Sequence, residues 1–275
     1  MTDYPTSLLP DRGRCTGCGA CASGCPKGAI HMLPDREGFL YPTVTDACIQ
    51  CGHCAHICPV LKQREPRPEP AVFAAWNPDA SVRQASTAGG VFPLLAEYIL
   101  DEGGVVFGAA LDQELRVRHI AVKDKAELPR LQGAKPVQSD LGDSFRRVRH
   151  YLDQGRRVLF SGTPCQVDGL YHFLGEHPER LLTCDVVCSG VSSPGCGASW
   201  CGLWRISSGS RRWTCASAAS CPGKRTGDSV SASPEAPSMT PPSASPISAG
   251  VCGSGCFCAR HATGVPIPAP TARRT

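Results

Sequence analysis

The chain has 275 residues, 41% hydrophobic and 19% charged, which is enough for one large or two modest domains. No apolar run reaches membrane-spanning length. Residues 1–10 carry Asp3 and two prolines where a secretory leader would have a basic segment and an apolar core, so the expectation is a soluble cytoplasmic protein. The formal charge of +4 is concentrated in the tail, where Gly195 to Thr275 holds eight Lys/Arg against two Asp/Glu, while the first 194 residues hold 20 against 22. The basic excess is therefore no argument for nucleic acid binding.

Residues 1–61 form the first predicted unit. Cys15-x-x-Cys18-x-x-Cys21-x-x-x-Cys25-Pro26 recurs as Cys48-x-x-Cys51-x-x-Cys54-x-x-x-Cys58-Pro59. This is the spacing of bacterial two-cluster ferredoxins, in which the fourth cysteine of each run ligates the other cluster. Three cysteines spaced by two can wrap one iron–sulfur cube from a single tight loop, and the cysteine before proline reaches the second cube. One 4Fe-4S cluster is thus expected on Cys15, Cys18, Cys21 and Cys58, and the other on Cys48, Cys51, Cys54 and Cys25. Zinc is the rival reading, but zinc sites pair two C-x-x-C units and have no use for three cysteines in register plus a remote Cys-Pro. A disulfide framework would need an oxidising compartment. The module is small, so metal centres would replace a large apolar core. Ala29–Leu33 and Phe39–Tyr41 read as short strands around the turn Pro34–Gly38.

Residues 62–70, with three prolines and alternating charges, read as an extended linker. From Ala71 to Pro194 strands and helices alternate. Strands are predicted at Ala71–Trp76, Val105–Leu111, Val117–Val122, Arg157–Phe160 and Leu181–Val187. Helices are predicted over Gly89–Leu100, over Asp143–Leu152 and from Pro164 to about Leu174. The expected fold class is an α+β ferredoxin-like cluster domain followed by an α/β domain whose sheet has a parallel component. Residues 195–275 turn to Ser, Ala, Pro, Gly, Cys and Arg without periodicity, and predict an irregular or disordered tail.

Three segments of the α/β part carry candidate chemistry. Ser86-Thr87-Ala88-Gly89-Gly90 opens a helix, where free amides and close-approach glycines suit a phosphate; a plain N-cap with a glycine turn explains the residues equally well. Ser161-Gly162-Thr163-Pro164-Cys165-Gln166 ends a buried strand, with Thr163 as N-cap and Pro164 at the first helical position. Ligands of open α/β sheets sit at that edge. Cys165 falls in the first helical turn, where the helix dipole favours a thiolate, and a buried structural cysteine is the alternative. Cys188 is expected to emerge beside Cys165, and Cys184, deeper in its strand, is expected in the core.

These segments, with Gly108-Ala-Ala, Gln132-Gly-Ala-Lys135-Pro-Val-Gln-Ser139 and Val187-Cys-Ser-Gly190, resemble the coenzyme F-420 hydrogenase/dehydrogenase beta-subunit family, and most closely its bacterial branch with a fused two-cluster ferredoxin. The resemblance covers roughly residues 11–194. It implies a flavin-dependent oxidoreductase that binds FAD and passes electrons between iron–sulfur clusters and a hydride carrier such as coenzyme F-420. Flavin contacts are then expected from Ser86, Thr87, Gly89, Gly90, Lys135, Gly162 and Thr163. It also implies a third cluster in intact relatives, to which Cys165 and Cys188 would contribute. The family's Cys-His-Gly stands here as Cys188-Ser189-Gly190, which puts the role of the usual histidine in doubt.

The tail holds seven cysteines and three tryptophans, a mixture that fits no compositional class. Read one base out of frame, the codons of Phe257–Pro266 can spell Leu-Arg-Pro-Ala-Cys-Tyr-Arg-Cys-Pro, which resembles the family's later cysteine motif. Residues 195–275 are thus read as an out-of-frame tail. The expected partners are a redox protein or small electron carrier. The other two readings are a non-enzymatic two-cluster electron carrier and an inactive remnant of the family. No catalytic residue is assigned.

Overall fold

The computed structural model describes residues 8–64, 73–86, 88–114 and 116–195. The tail expectation, most of the linker and Thr87 fall outside them. Two sheets organise the described residues. The first is the antiparallel hairpin β1 (Ile30–Pro34) and β2 (Leu40–Val44), paired from Ile30↔Val44 to Pro34↔Leu40. Asp35 builds its turn by accepting the N–H groups of Glu37 and Phe39. Single helical turns, α1 (Ala20–Gly24) and α2 (His53–His56), follow the first cysteines of each repeat, and both start after a glycine with positive φ.

The second sheet has the order β4-β3-β5-β6. β3 (Val105–Leu111) pairs antiparallel with β4 (Val117–Val122) and parallel with β5 (Val158–Gly162), which pairs parallel with β6 (Leu181–Asp185). Alternation sends Val105, Phe107, Val158 and Phe160 to one face, packed with Phe145 and Val148 of α5 (Ser144–Asp153) and Val167, Leu170 and Phe173 of α6 (Pro164–Leu174). Val106, Ala110 and Leu159 point to the opposite face. They pack there with Ala96, Ile99 and Leu100 of α4 (Val91–Asp101) and with Leu128 of a 3-10 turn, Lys125–Arg130. The result is three layers with apolar residues on both sides of β3 and β5. Phe145 and Phe160 meet in a T-shaped arrangement, with centroids 5.7 Å apart.

The expected elements at 105–111 and 117–122 match residue for residue, and the other α/β elements match within a few residues. The strand expected at Ala71–Trp76 does not form over its described residues 73–76. Phe73 and Trp76 there are largely exposed, so no sheet neighbour stabilises the β-prone run. The short helix α3 (Ala80–Ala85), which periodicity did not reveal, is nucleated by Asp79, whose carboxylate accepts the Ser81 N–H. Among the described residues no helix is long and apolar enough to cross a membrane.

The N-terminal part is built into the core of the second sheet. Cys18 and Ala20 belong to the same buried cluster as Phe145, Phe160 and Leu170. Gly169 of α6 makes this approach possible, since a Cβ there would stand 3.0 Å from Cys18 Sγ and 3.1 Å from its Cβ. Gly169→Ala therefore tests the junction. Helix propensity alone favours alanine by ~1 kcal/mol, whereas overpacking a buried contact costs about 1–3 kcal/mol. Both atoms belong to the short, buried side chain of Cys18, which has little room to give, so we expect net destabilisation in a denaturant titration; a stabilised variant would show that the loop yields freely.

Candidate functional site

The first cysteine set converges. Cys15, Cys18, Cys21 and Cys58 line one cavity, with Met32, Pro42 and Pro59 completing the wall. Thr16 lies in the same wall, and its hydroxyl is buried without a hydrogen-bond partner. An orphaned donor beside four thiols fits a group with acceptor sulfurs, as a 4Fe-4S cube has. Burial pushes the Cys18 thiol up to about 12, and the Cys15 and Cys21 thiols also rise, again mainly through burial. A metal centre must displace these protons on binding, so loading releases protons and weakens as pH falls.

The second set is held by a backbone relay. The Ala29 N–H donates to Cys25 Sγ at 3.3 Å, the Ala29 carbonyl accepts from Thr45, and the Thr45 carbonyl accepts from Cys48. Gln50, with φ +54, donates its N–H to Cys48 Sγ at 3.4 Å. Burial pushes the Cys54 thiol up, and the neighbouring Cys48 and Cys51 add to the rise. Cys51 is exposed, whereas Cys18, Cys21 and Cys58 are buried. All eleven described cysteines are free thiols. Among the described residues no group of three or more His, Cys, Asp or Glu is placed to hold a single metal ion.

Three clamps fix the cluster loops against the α/β sheet. Gln138 makes two bonds to the Leu40 backbone, accepting its N–H at 2.7 Å and donating to its carbonyl at 3.1 Å. Gly17, with φ +66, gives Gln138 room, since a Cβ would come within 2.5 Å of its Nε2. Arg146 of α5 donates to the carbonyls of Ala22 and Ser23 at the end of α1, where a helix leaves carbonyls unpaired. Ser193 donates to the Glu37 carbonyl in the hairpin turn. None of these partnerships has a local pattern in the sequence.

The segment around Gln138 also organises the loop before α6. His119 on β4 is buried and stacked on Phe160. Its Nε2 lies 3.0 Å from the Ser161 carbonyl, which can only accept, so Nε2 carries the proton. Nδ1 then accepts from the Ser139 hydroxyl, which accepts from Gln166 Nε2, and Gln166 Oε1 accepts the Thr163 N–H. This directional chain fixes residues 161–166 and with them Cys165, whose Sγ lies 3.1 Å from Thr163 Oγ1. Cys184 packs against the second core, facing Ser161. Burial pushes the Cys165 thiol up, with Thr163 offsetting part of the rise and Cys188 adding to it.

The phosphate-type candidates divide. Gly90 is the N-cap of α4, with φ +73 and no side-chain cap, so the first amides of a long helix lack a side-chain acceptor. The Gly89 and Gly90 carbonyls accept from Asn77. Ser86 donates its hydroxyl to the Val82 carbonyl, and Lys135 Nζ donates to the carbonyls of Gln132 and Gly133. Thr163 uses its N–H within its own turn, as above. Gly162 ends β5 and accepts the Val186 N–H, and Lys135 leads into Val137, which bridges to Ser192.

Burial holds the His119 imidazole at a pKa of about 4 against 6.5, with the Ser161 carbonyl and Asp140 offsetting part of the effect. The unfolded chain binds a proton below pH 6.5 that the fold refuses. This stabilisation is complete above pH 6.5 and is lost as pH falls from about 6.5 to about 4. The loss is on the order of 3 kcal/mol. Thermal unfolding of the native chain should fall more steeply across that window than that of His119→Gln; parallel pH profiles would remove His119 as the cause.

The model of the 4Fe-4S dicluster domain matches residues 14–61. An uncharacterized ferredoxin of Methanocaldococcus jannaschii is 38% identical over 52 residues, which cover 19% of this chain and 68% of that protein. An uncharacterized protein of the same organism is 21% identical over 203 residues, covering 62% of this chain and 56% of its own length. The dicluster match decides between zinc and iron–sulfur for the cysteine repeat. Through residues 14–61 the chain belongs to the 4Fe-4S dicluster family, and it carries an iron–sulfur electron-transfer domain.

Proposed function

We propose that this chain is an oxidoreductase in which the dicluster module exchanges electrons with a flavin on the α/β sheet and, beyond it, with a hydride carrier such as coenzyme F-420. The observation that carries the reading is a gradient of exposure. The set Cys25, Cys48, Cys51 and Cys54 reaches the surface at Cys51, whereas Cys18, Cys21 and Cys58 of the other set are buried and Cys18 packs in the core of the second sheet. A redox partner would meet the set exposed at Cys51, and the internal acceptor would lie near the buried one. The match that extends over 62% of this chain is longer than residues 14–61 alone and supports reading the two parts as one architecture.

In this reading the eight cysteines ligate two 4Fe-4S clusters in the swapped arrangement. Iron–sulfur centres supply one-electron transfer and a flavin converts it to a two-electron hydride step. The chain's own residues hold the thiolates, exclude water around Cys18 and Cys21, and offer the Thr16 hydroxyl to a sulfur. The uncapped start of α4, with Ser86, Thr87, Gly89 and Gly90, would hold FAD phosphate, and Lys135, Gly162 and Thr163 would complete the contacts.

Anaerobic purification followed by iron, sulfide and flavin assays tests this directly. Two clusters with stoichiometric flavin are expected. Two clusters without flavin would leave a two-cluster carrier, and absence of iron would overturn the reading. Thr16→Val should lower the reduction potential of the buried cluster, because a hydrogen bond to a cluster sulfur favours the reduced form. An unchanged potential in redox titration would remove Thr16 from that role.

A further inference from the structure

The cations beside the exposed cysteine set are bonded to neutral partners. α1 ends one residue before Cys25, and three elements meet there. A Cβ on Gly24 would lie 2.2 Å from Ile57 Cδ1, 3.6 Å from His53 Nε2 and 3.6 Å from Phe173 Cδ2. Arg146 of α5 donates to the Ser23 and Ala22 carbonyls at 2.8 and 3.0 Å. Arg149, three residues further along α5, donates to the Phe173 carbonyl and lies over the Phe173 ring, its Cζ 4.2 Å from the centroid. Lys27 follows Cys25 by two residues, in the turn that the Gly28 N–H closes on the Cys25 carbonyl. All three residues are exposed.

A carbonyl oxygen or an aromatic ring orients a guanidinium without cancelling its charge. None of Lys27, Arg146 and Arg149 forms an ion pair among the described residues, whereas Arg147, between the two on α5, has Asp143 at 3.9 Å. Residues 45–57, which carry the other three cysteines of the set, contain one carboxylate, Asp46. This end of the molecule is therefore basic, although residues 1–194 as a whole hold 20 Lys/Arg against 22 Asp/Glu. Ile49, 57% exposed, stands between Cys48 and Cys51 as an apolar contact point. An apolar point beside charges of one sign suits a protein surface better than a small ion, because charge there sets encounter rate and orientation.

We propose that Lys27, Arg146 and Arg149 form a basic docking rim beside the exposed cysteine set, and that the redox partner is an acidic electron-transfer protein. This rests on the reading above in which a partner meets the set exposed at Cys51. Carboxylates of the partner would pair with cations whose present partners are neutral, so docking breaks no internal ion pair. Arg146 and Arg149 are already held by main-chain carbonyls, which lowers the side-chain entropy lost on binding. In each encounter one electron crosses between the cluster on the exposed set and the partner's centre, one being oxidised as the other is reduced.

The test uses the full chain, loaded with iron and sulfide without oxygen, reduced with dithionite and freed of excess reductant. Its oxidation is followed by stopped-flow absorbance with two acceptors of like potential and opposite net charge, an acidic and a basic c-type cytochrome. The acidic cytochrome should react the faster at low salt. Its rate constant should fall about tenfold or more between about 0.01 M and about 1 M salt, as the Debye length shrinks from about 30 Å to about 3 Å. Lys27→Glu and Arg149→Glu should each slow that reaction ~3-fold or more at low salt and leave the high-salt rate and the iron content unchanged. Lys27 is exposed and its side chain makes no bond among the described residues, so its variant gives a reading even if Arg149→Glu fails to fold. A rate that is flat with salt overturns the proposal, and so does a faster reaction with the basic cytochrome at low salt. An unchanged low-salt rate in Lys27→Glu overturns the assignment of the rim. Equal slowing of both cytochromes by Lys27→Glu overturns it too, because the cation would then act on the cluster's potential and not on the partner. A loaded chain that reduces neither cytochrome overturns the reading of function on which the rim rests.

Discussion

The rest of the structure depends on the burial of the Cys15–Cys21 loop against the face of α6. A metal-binding loop in a small module normally has the metal as its main source of order. Here Cys18 and Ala20 are also core residues of the neighbouring sheet, packed with Phe145, Phe160 and Leu170. The absence of a side chain at Gly169 brings the helix close enough for this contact. One set of cysteines therefore belongs to two structures at once.

That shared burial creates the asymmetry between the two halves of the repeat. By sequence the halves are nearly equivalent. In the fold one lies in a water-poor wall, and the other reaches the surface at Cys51. Low dielectric and hydrogen bonds to sulfur are two of the terms that separate cluster potentials. The backbone clamps from Gln138 and Arg146 hold that arrangement, since each pairs a side chain of the α/β part with main-chain groups of the cluster part. On the cluster side they use main-chain groups alone, so side-chain changes in the hairpin or in α1 that keep the backbone shape would leave them in place.

Much of this was legible beforehand. The repeat's match to the two-cluster ferredoxin spacing grouped Cys58 with Cys15, Cys18 and Cys21, and the four do line one cavity. The strands at 105–111 and 117–122 were readable because apolar β-branched runs bounded by turn residues are strong local signals. The run at Ala71–Trp76 carried the same signal and forms no strand over residues 73–76, since strand formation needs a neighbour that local composition cannot supply. His119 gave no warning. It reads as one polar residue in a strand, and only the fold brings Ser139, Ser161 and Gln166 around it. Of the motif Gln132–Ser139 only Lys135 was read as a cofactor contact, and the structure adds that Gln138 and Ser139 tie β4, the α6 loop and the first hairpin together.

By itself the sequence determined the chemistry. Eight thiols at fixed short spacings specify iron–sulfur ligation, because ligand geometry within a tight loop is a local property of the chain. It also determined most of the strands and helices, through periodicity. The tertiary structure alone decided which cysteine set is buried, which helix face meets it, and that Gly169 of α6 stands next to Cys18. These depend on contacts between residues 98 and 123 positions apart, Gln138 to Leu40 and Arg146 to Ser23, and no local pattern records a partner at that distance.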